Sequence, residues 1–199
     1  MALGKQAKVL TEPQINSIAQ YLHSKRNGDR NIVVFLLSVK AGLRAKEIAS
    51  LTWKMVLNSE GEVGSTIDLT NEASKGTTSG RIIPLNKDLR PAIIGLFEKE
   101  RARKRFDFQD HVVRTERSPT TSPQAIVNMF QSWYKELGYV GCSSHSGRRT
   151  FITQTARKIS LVGGSLRDIQ ILAGHSQIGT TQRYIDMDTE AQRKVVDLI

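Results

Sequence analysis

The chain has 199 residues, 39% hydrophobic and 24% charged, which is enough apolar material for one sizeable core and too balanced for widespread disorder. No apolar run reaches the roughly 20 residues that cross a bilayer, residues 1–11 lack the apolar stretch of a secretory signal, and one cysteine and four unpaired histidines point to neither a disulfide nor a metal site. What is left is a cytoplasmic, metal-free reading with a formal charge of +10, an excess of cations that favours a nucleic acid as partner through counterion release.

Residues 1–10 read as a tail or linker. Thr11-Glu12-Pro13-Gln14 has the form of a capping box, so a first helix begins there, with Ile15, Ile18 and Leu22 at helical spacing. After a polar connection from Lys25 to Arg30, Ile32 to Ala41 is apolar enough for a buried helix, which Gly42 ends by taking a left-handed conformation. Ala45 to Leu51 reads as a short helix, and Thr66 to Leu69 and Arg81 to Leu85 read as strands joined by a Gly-rich turn, the second at a sheet edge because Pro84 lacks a ladder donor. Leu89, Ile93, Leu96 and Phe97 give an amphipathic helix from Asp88 to about Arg105, whose end is strongly basic. Phe106 to Thr120 reads as a loop with a short strand near Val112. Thr121-Ser122-Pro123-Gln124 repeats the capping pattern, leading a stripe of Ile126, Met129, Phe130, Trp133 and Leu137 that stops at Gly138. Further helices are expected over Ser146 to Ile159, Ser165 to Leu172, Thr180 to Tyr184 and Thr189 to Ile199. The fold class is α+β, mainly α-helical with a small antiparallel β-sheet.

Four separated stretches combine cations, imidazoles and one tyrosine beyond what core packing requires. In Gly42-Leu43-Arg44-Ala45-Lys46-Glu47 an arginine sits at a joint between helices with Glu47 three residues on, a spacing that usually makes a surface pair. In His145-Ser146-Gly147-Arg148 the histidine and arginine share one face if helical. In Leu172-Ala173-Gly174-His175 followed by Thr180-Thr181-Gln182-Arg183-Tyr184, a helix ends at a glycine, turns with a histidine and restarts toward a tyrosine. Lys75 lies in the turn between the two strands. The other tyrosines, Tyr21, Tyr134 and Tyr139, fall where packing accounts for them.

Together these stretches, in this order, resemble the tyrosine recombinase (phage integrase) family over about Thr11 to Tyr184. The resemblance implies a catalytic domain over residues 11–199, acting as a site-specific recombinase or integrase that cleaves and rejoins double-stranded DNA through a 3′-phosphotyrosine intermediate, without metal or cofactor. Phosphoryl transfer gathers negative charge on the non-bridging oxygens, and preorganised cations stabilise it most; the resemblance gives that task to Arg44 and Arg148, with Glu47 as support. A tyrosine hydroxyl with a pKa near 10 needs a base or a cationic field. Here the resemblance makes Tyr184 the nucleophile, His145 the base or proton relay, His175 a hydrogen-bond donor to phosphate, and Lys75 the acid that protonates the leaving oxygen. It also implies a homo-tetramer on two DNA sites, with residues 189–199 docking either on their own domain or on a neighbour, and association with the nucleoid. Gly147 and Ala173 stand where leucine is common, which bears on helix stability. Typical members carry a further DNA-binding domain ahead of the catalytic one, so the expectation is either a catalytic fragment or a compact recombinase. A type IB topoisomerase and a non-catalytic DNA-binding module are the competing readings.

Overall fold

The computed structural model describes residues 7–74, 80–116, 118–184 and 196–197. Helix α1 (Glu12–His23) starts at the expected capping box: Thr11 N donates to Gln14 Oε1 at 2.9 Å, and Gln14 N donates to Thr11 Oγ1 at 3.4 Å. Packing begins slightly ahead of it, inside the stretch that reads as a tail. Leu10 is buried, and its amide donates to Thr150 Oγ1 at 2.8 Å.

Helix α2 (Gly28–Val39) begins four residues earlier than its apolar pattern suggests. Its first turn is polar and hides the start, while Asn27 makes the entry turn in a left-handed conformation and Asp29 complements the positive end of the helix dipole. From Asn31 to Val39 every residue is buried, because α2 is the central helix against which α1 and later elements pack. The left-handed Gly42 then turns the chain into α3 (Ala45–Ser50).

Strands β1 (Thr66–Leu69) and β2 (Arg81–Pro84) pair antiparallel with Ile67 opposite Ile83 and Leu69 opposite Arg81. On the buried face the alternation gives Ile67, Leu69 and Ile83, and unexpectedly Arg81. Helix α4 (Leu89–Arg101) stops short of the basic run, leaving Arg103 to Arg105 beyond it. No strand forms near Val112. The loop is instead held by an isolated bridge between Thr52 and His111 and by Val112 N donating to Leu51 O at 2.8 Å.

Helix α5 (Pro123–Glu136) is capped by Ser122, not Thr121: Ser122 Oγ accepts from Ala125 N at 3.1 Å, while Thr121 Oγ1 donates to Val113 O at 2.9 Å. Pro123 occupies the first helical position, so the cap is the residue directly before it. Helix α6 (Ser146–Lys158) packs on α2 and runs into a 3-10 turn (Ile159–Val162); α7 (Leu166–Ala173) and α8 (Ile178–Gln182) follow. Helix α8 is shifted toward the N-terminus relative to the expected Thr180 to Tyr184, and the helix expected over Thr189 to Ile199 lies, apart from residues 196–197, outside the described residues.

The class is as expected, mainly helical with a two-stranded antiparallel sheet. One large core joins α1 to α5 and the sheet, and a smaller cluster of Ile152, Ile169 and Ala173, with Tyr184 packed against it, joins α6 and α7. Gly147 explains how these two parts meet. A Cβ placed there would lie 2.4 Å from Ser38 Oγ and 2.9 Å from Ser38 Cβ on α2, so the leucine common at this position has no room. Among the described residues no helix is long and apolar enough to cross a membrane.

Candidate active site

The site is organised by the C-terminal end of α7. A helix end leaves its last carbonyls without intrahelical partners. Here Gly174, in a left-handed conformation with φ 60°, reverses the chain so that Gly174 N donates to Ile171 O at 2.9 Å and His175 N to Gln170 O at 3.1 Å. The next three carbonyls are each taken by an arginine from a different element. Leu172 O accepts from Arg81 Nε at 2.9 Å, Ala173 O from Arg148 Nη2 at 2.6 Å, and Gly174 O from Arg44 Nη2 at 3.2 Å. The negative end of the helix dipole thus gathers three cations that would otherwise repel one another.

Arg148 reaches this point from the first turn of α6 and also donates from Nη1 to Gly42 O at 2.5 Å. It is buried. Desolvation, and next the charge of Arg44, pull its pKa down to about 9, which leaves it protonated at neutral pH. Arg44, at the start of α3, keeps 29% of its side chain exposed.

Glu47 is fully buried among these cations. Its Oε1 accepts from Arg44 Nη1 and from Arg81 Nη1, each at 2.9 Å, and its Oε2 from Arg44 N at 2.8 Å and Arg81 Nη2 at 3.1 Å. Burial alone would raise its pKa, but the hydrogen bonds and charge of Arg81, together with Arg44, outweigh it and hold the carboxylate below its ordinary range. A spacing that usually makes a surface pair thus makes a buried anion bridging two arginines, in line with the supporting place expected of Glu47, and Arg81 is a neighbour that the sequence reading missed.

His175 is buried. Its Nδ1 lies 2.9 Å from Thr181 Oγ1, and its ring stacks on that of Tyr184 with centroids 5.7 Å apart and planes 20° apart. Burial, then the charges of Arg148, Arg44 and Arg81, depress its pKa to about 4, so the imidazole is neutral near pH 7. Tyr184 N donates to Thr181 O at 3.0 Å, which fixes the tyrosine just past α8. Thr181 is another residue whose contribution, a buried hydroxyl orienting the imidazole, was not singled out from sequence.

Two adjoining hollows expose these groups. A cleft of about 670 Å³ is lined by Arg44, Arg81, Arg167, Gln170, His175 and Thr180. A second, of about 360 Å³, is lined by His145, Arg148, Arg149, Thr180, Arg183 and Tyr184. Thr180 borders both. Of the expected residues, Arg44 bonds Glu47, His175 stacks on Tyr184, and Arg44 and Arg148 meet on neighbouring carbonyls at the end of α7, while exposed His145, at the start of α6, shares the second hollow with Arg148 and Tyr184. Lys75 lies outside the described residues. Those flanking it are Ser74, whose carbonyl accepts from Lys46 Nζ at 3.1 Å, and Gly80, which lines the larger cleft. No cluster of metal-ligating side chains occurs among the described residues.

Comparison with known proteins places this geometry in context. The tyrosine recombinase XerA of Pyrococcus horikoshii is 29% identical over 194 residues, covering 96% of this chain and 60% of that protein. The tyrosine recombinase XerC of Shewanella sp. strain ANA-3 is 28% identical over 203 residues, covering 99% and 63%. The chain thus spans about three fifths of the length of these curated relatives. In fold it is similar to the Tn1549 transposon integrase solved with a circular intermediate DNA, with a TM-score of 0.77 at 18% identity over 99% of this chain and 67% of that one. It is also similar to the crystal structure of XerA recombinase, with a TM-score of 0.74 at 20% identity over 100% and 65%. The sequence profile of the phage integrase family matches residues 8–191, and the chain belongs to that family.

Proposed function

We propose that this chain is the strand-cleaving domain of a site-specific DNA recombinase. The observation that carries the reading is the convergence of Arg44 and Arg148 on adjoining carbonyls of one helix end, beside an imidazole stacked on Tyr184. Two guanidinium forks held this closely offer donors to both non-bridging oxygens of one phosphate. Neutral His175, in the tautomer whose Nδ1 accepts from the Thr181 hydroxyl, has Nε2–H to donate to the same phosphate. In the proposed reaction Tyr184 Oη attacks phosphorus, its proton passes to His145, the bond to the 5′ oxygen breaks, and Lys75 supplies the proton that this oxygen takes up. The 3′-phosphotyrosine ester keeps the bond energy, so the reverse steps rejoin the strand. DNA as the partner is supported by the charge of +10 and by structural relatives solved with DNA. The names of the relatives favour recombination over relaxation without exchange or binding without cleavage. Assembly as a tetramer on two sites, with residues 189–199 reaching a neighbouring protomer, belongs to the same proposal.

The test uses nicked suicide duplexes tiling the DNA that flanks the coding region. Wild-type protein is expected to form an adduct that survives detergent, and Tyr184→Phe to bind the same duplex without forming one. An adduct from Tyr184→Phe, or strand cleavage by wild type with no adduct, overturns the proposal.

A further inference from the structure

Arg81 opens β2 on its buried face, opposite Leu69, where the strand pattern calls for an apolar side chain. Its side chain is only 3% exposed, and burying a cation is costly unless its donors are well satisfied. Three of them are: Nη1 and Nη2 grip the two oxygens of Glu47, and Nε holds Leu172 O. The seat is filled to contact, since a Cβ at Gly174 would lie 2.7 Å from Arg81 Nη1.

We propose that Arg81 is a positioning residue that sets the aim of Arg44, an inference that rests on the recombinase reading above. Glu47 Oε1 and Oε2 also hold the side chain and the amide of Arg44. A carboxylate gripped on both oxygens by a second guanidinium has a fixed plane, so the fork that leans on it has a fixed direction. Arg44 spends one donor on Glu47 and one on Gly174 O, and its other N–H groups have no partner among the described residues. Arg81 also ties β2 to α3 and α7, so one buried guanidinium connects three elements around the cleft.

The experiment is a cycle of wild type, Arg81→Lys, Arg44→Ala and the double variant, reading the single-turnover cleavage rate at saturating DNA alongside DNA affinity and melting temperature. Lysine keeps the charge but cannot grip both carboxylate oxygens and Leu172 O together. Arg81→Lys is expected to slow cleavage at least about tenfold with affinity nearly unchanged, and to have less than about a twofold effect once Arg44 is already alanine. If Arg81→Lys does not fold, the uncharged pair Arg81→Gln with Glu47→Gln is read against Arg44→Ala in the same way. Wild-type cleavage by Arg81→Lys, or an equal loss with and without Arg44, overturns the inference while leaving the recombinase reading intact. Absence of any adduct from wild type overturns both.

Discussion

Gly147 gives the sharpest test of how packing supports the site, because propensity and geometry predict opposite signs for Gly147→Ala. Alanine is favoured over glycine by about 1 kcal/mol in a helix interior, and by less at Gly147, the second residue of α6. Against this, the new methyl would sit 2.4 Å from Ser38 Oγ and 2.9 Å from Ser38 Cβ, in the contact between α2 and α6. Rotating the hydroxyl relieves the first clash and leaves the second, so α6 must move away from α2. Overpacking of this kind costs about 1 to 3 kcal/mol, which exceeds a propensity gain of less than about 1 kcal/mol, so the net effect should be a loss of up to about 2 to 3 kcal/mol. Ser38→Gly in the same background removes both contacts, and the four-variant cycle should show a favourable coupling of about 1.5 kcal/mol. Gly147→Leu should leave the chain unfolded. Urea denaturation with an unchanged slope measures these differences. A Gly147→Ala protein as stable as wild type, or more so, refutes the argument. Because Arg148 is the next residue and needs both Gly42 O and Ala173 O, cleavage should fall further than the lost stability alone explains.

Arg44→Ala and Arg148→Ala should each slow cleavage at least about a hundredfold, as expected for a lost phosphate clamp. Only Arg148→Ala, which strands two buried carbonyls, should also cost about 2 kcal/mol or more in melting experiments; equal stability of the two variants would contradict the burial difference. His175 has a folded pKa near 4, below its ordinary 6.5, so the unfolded chain binds more protons between these values. Stability is then complete above about pH 6.5 and lost as pH falls toward 4, by up to about 3 kcal/mol. Melting curves from pH 7.5 to 4 should be flatter by that amount in His175→Gln, and parallel curves would remove the imidazole as the cause. Deleting residues 189–199 should weaken synapsis and recombination more than DNA binding by the monomer; a truncated protein that unfolds or recombines normally refutes the docking role.

Much of this was legible in the chain because local chemistry announces itself locally. Thr11 with Gln14, the left-handed glycines Gly42, Gly138 and Gly174, and the Ile126 to Trp133 stripe each carry their own signal within a few residues. The start of α2 and the cap of α5 were misplaced where two local signals competed: a polar first turn against an apolar period, and Thr121 against Ser122 beside Pro123. Arg44, Glu47, Arg148, His175 and Tyr184 could be named from the resemblance of their stretches to the family's motifs, but their mutual arrangement could not. Arg81 lies 34 residues from Glu47 and 91 from Leu172, and nothing in a strand of alternating pattern says that its arginine points inward. Glu47 carried a faint signal, a lone anion on a short helix beside buried Ile48 and Ala49, but spacing to Arg44 alone reads as a surface pair.

The three carbonyls at the end of α7 also set an order of events. Arg44, Arg81 and Arg148 all precede residue 172, so on a growing chain every cation is made before any of its helix-end acceptors. Until α7 closes at Gly174, these guanidiniums have only part of their anchorage, Glu47 for Arg44 and Arg81 and Gly42 O for Arg148, and the tyrosine ten residues further on has not been made. On the recombinase reading, a prematurely stopped product would carry these cations without the tyrosine proposed to break DNA. On that reading strand scission waits for Tyr184, which follows every cation that it works beside, so a product stopped before it could not nick DNA.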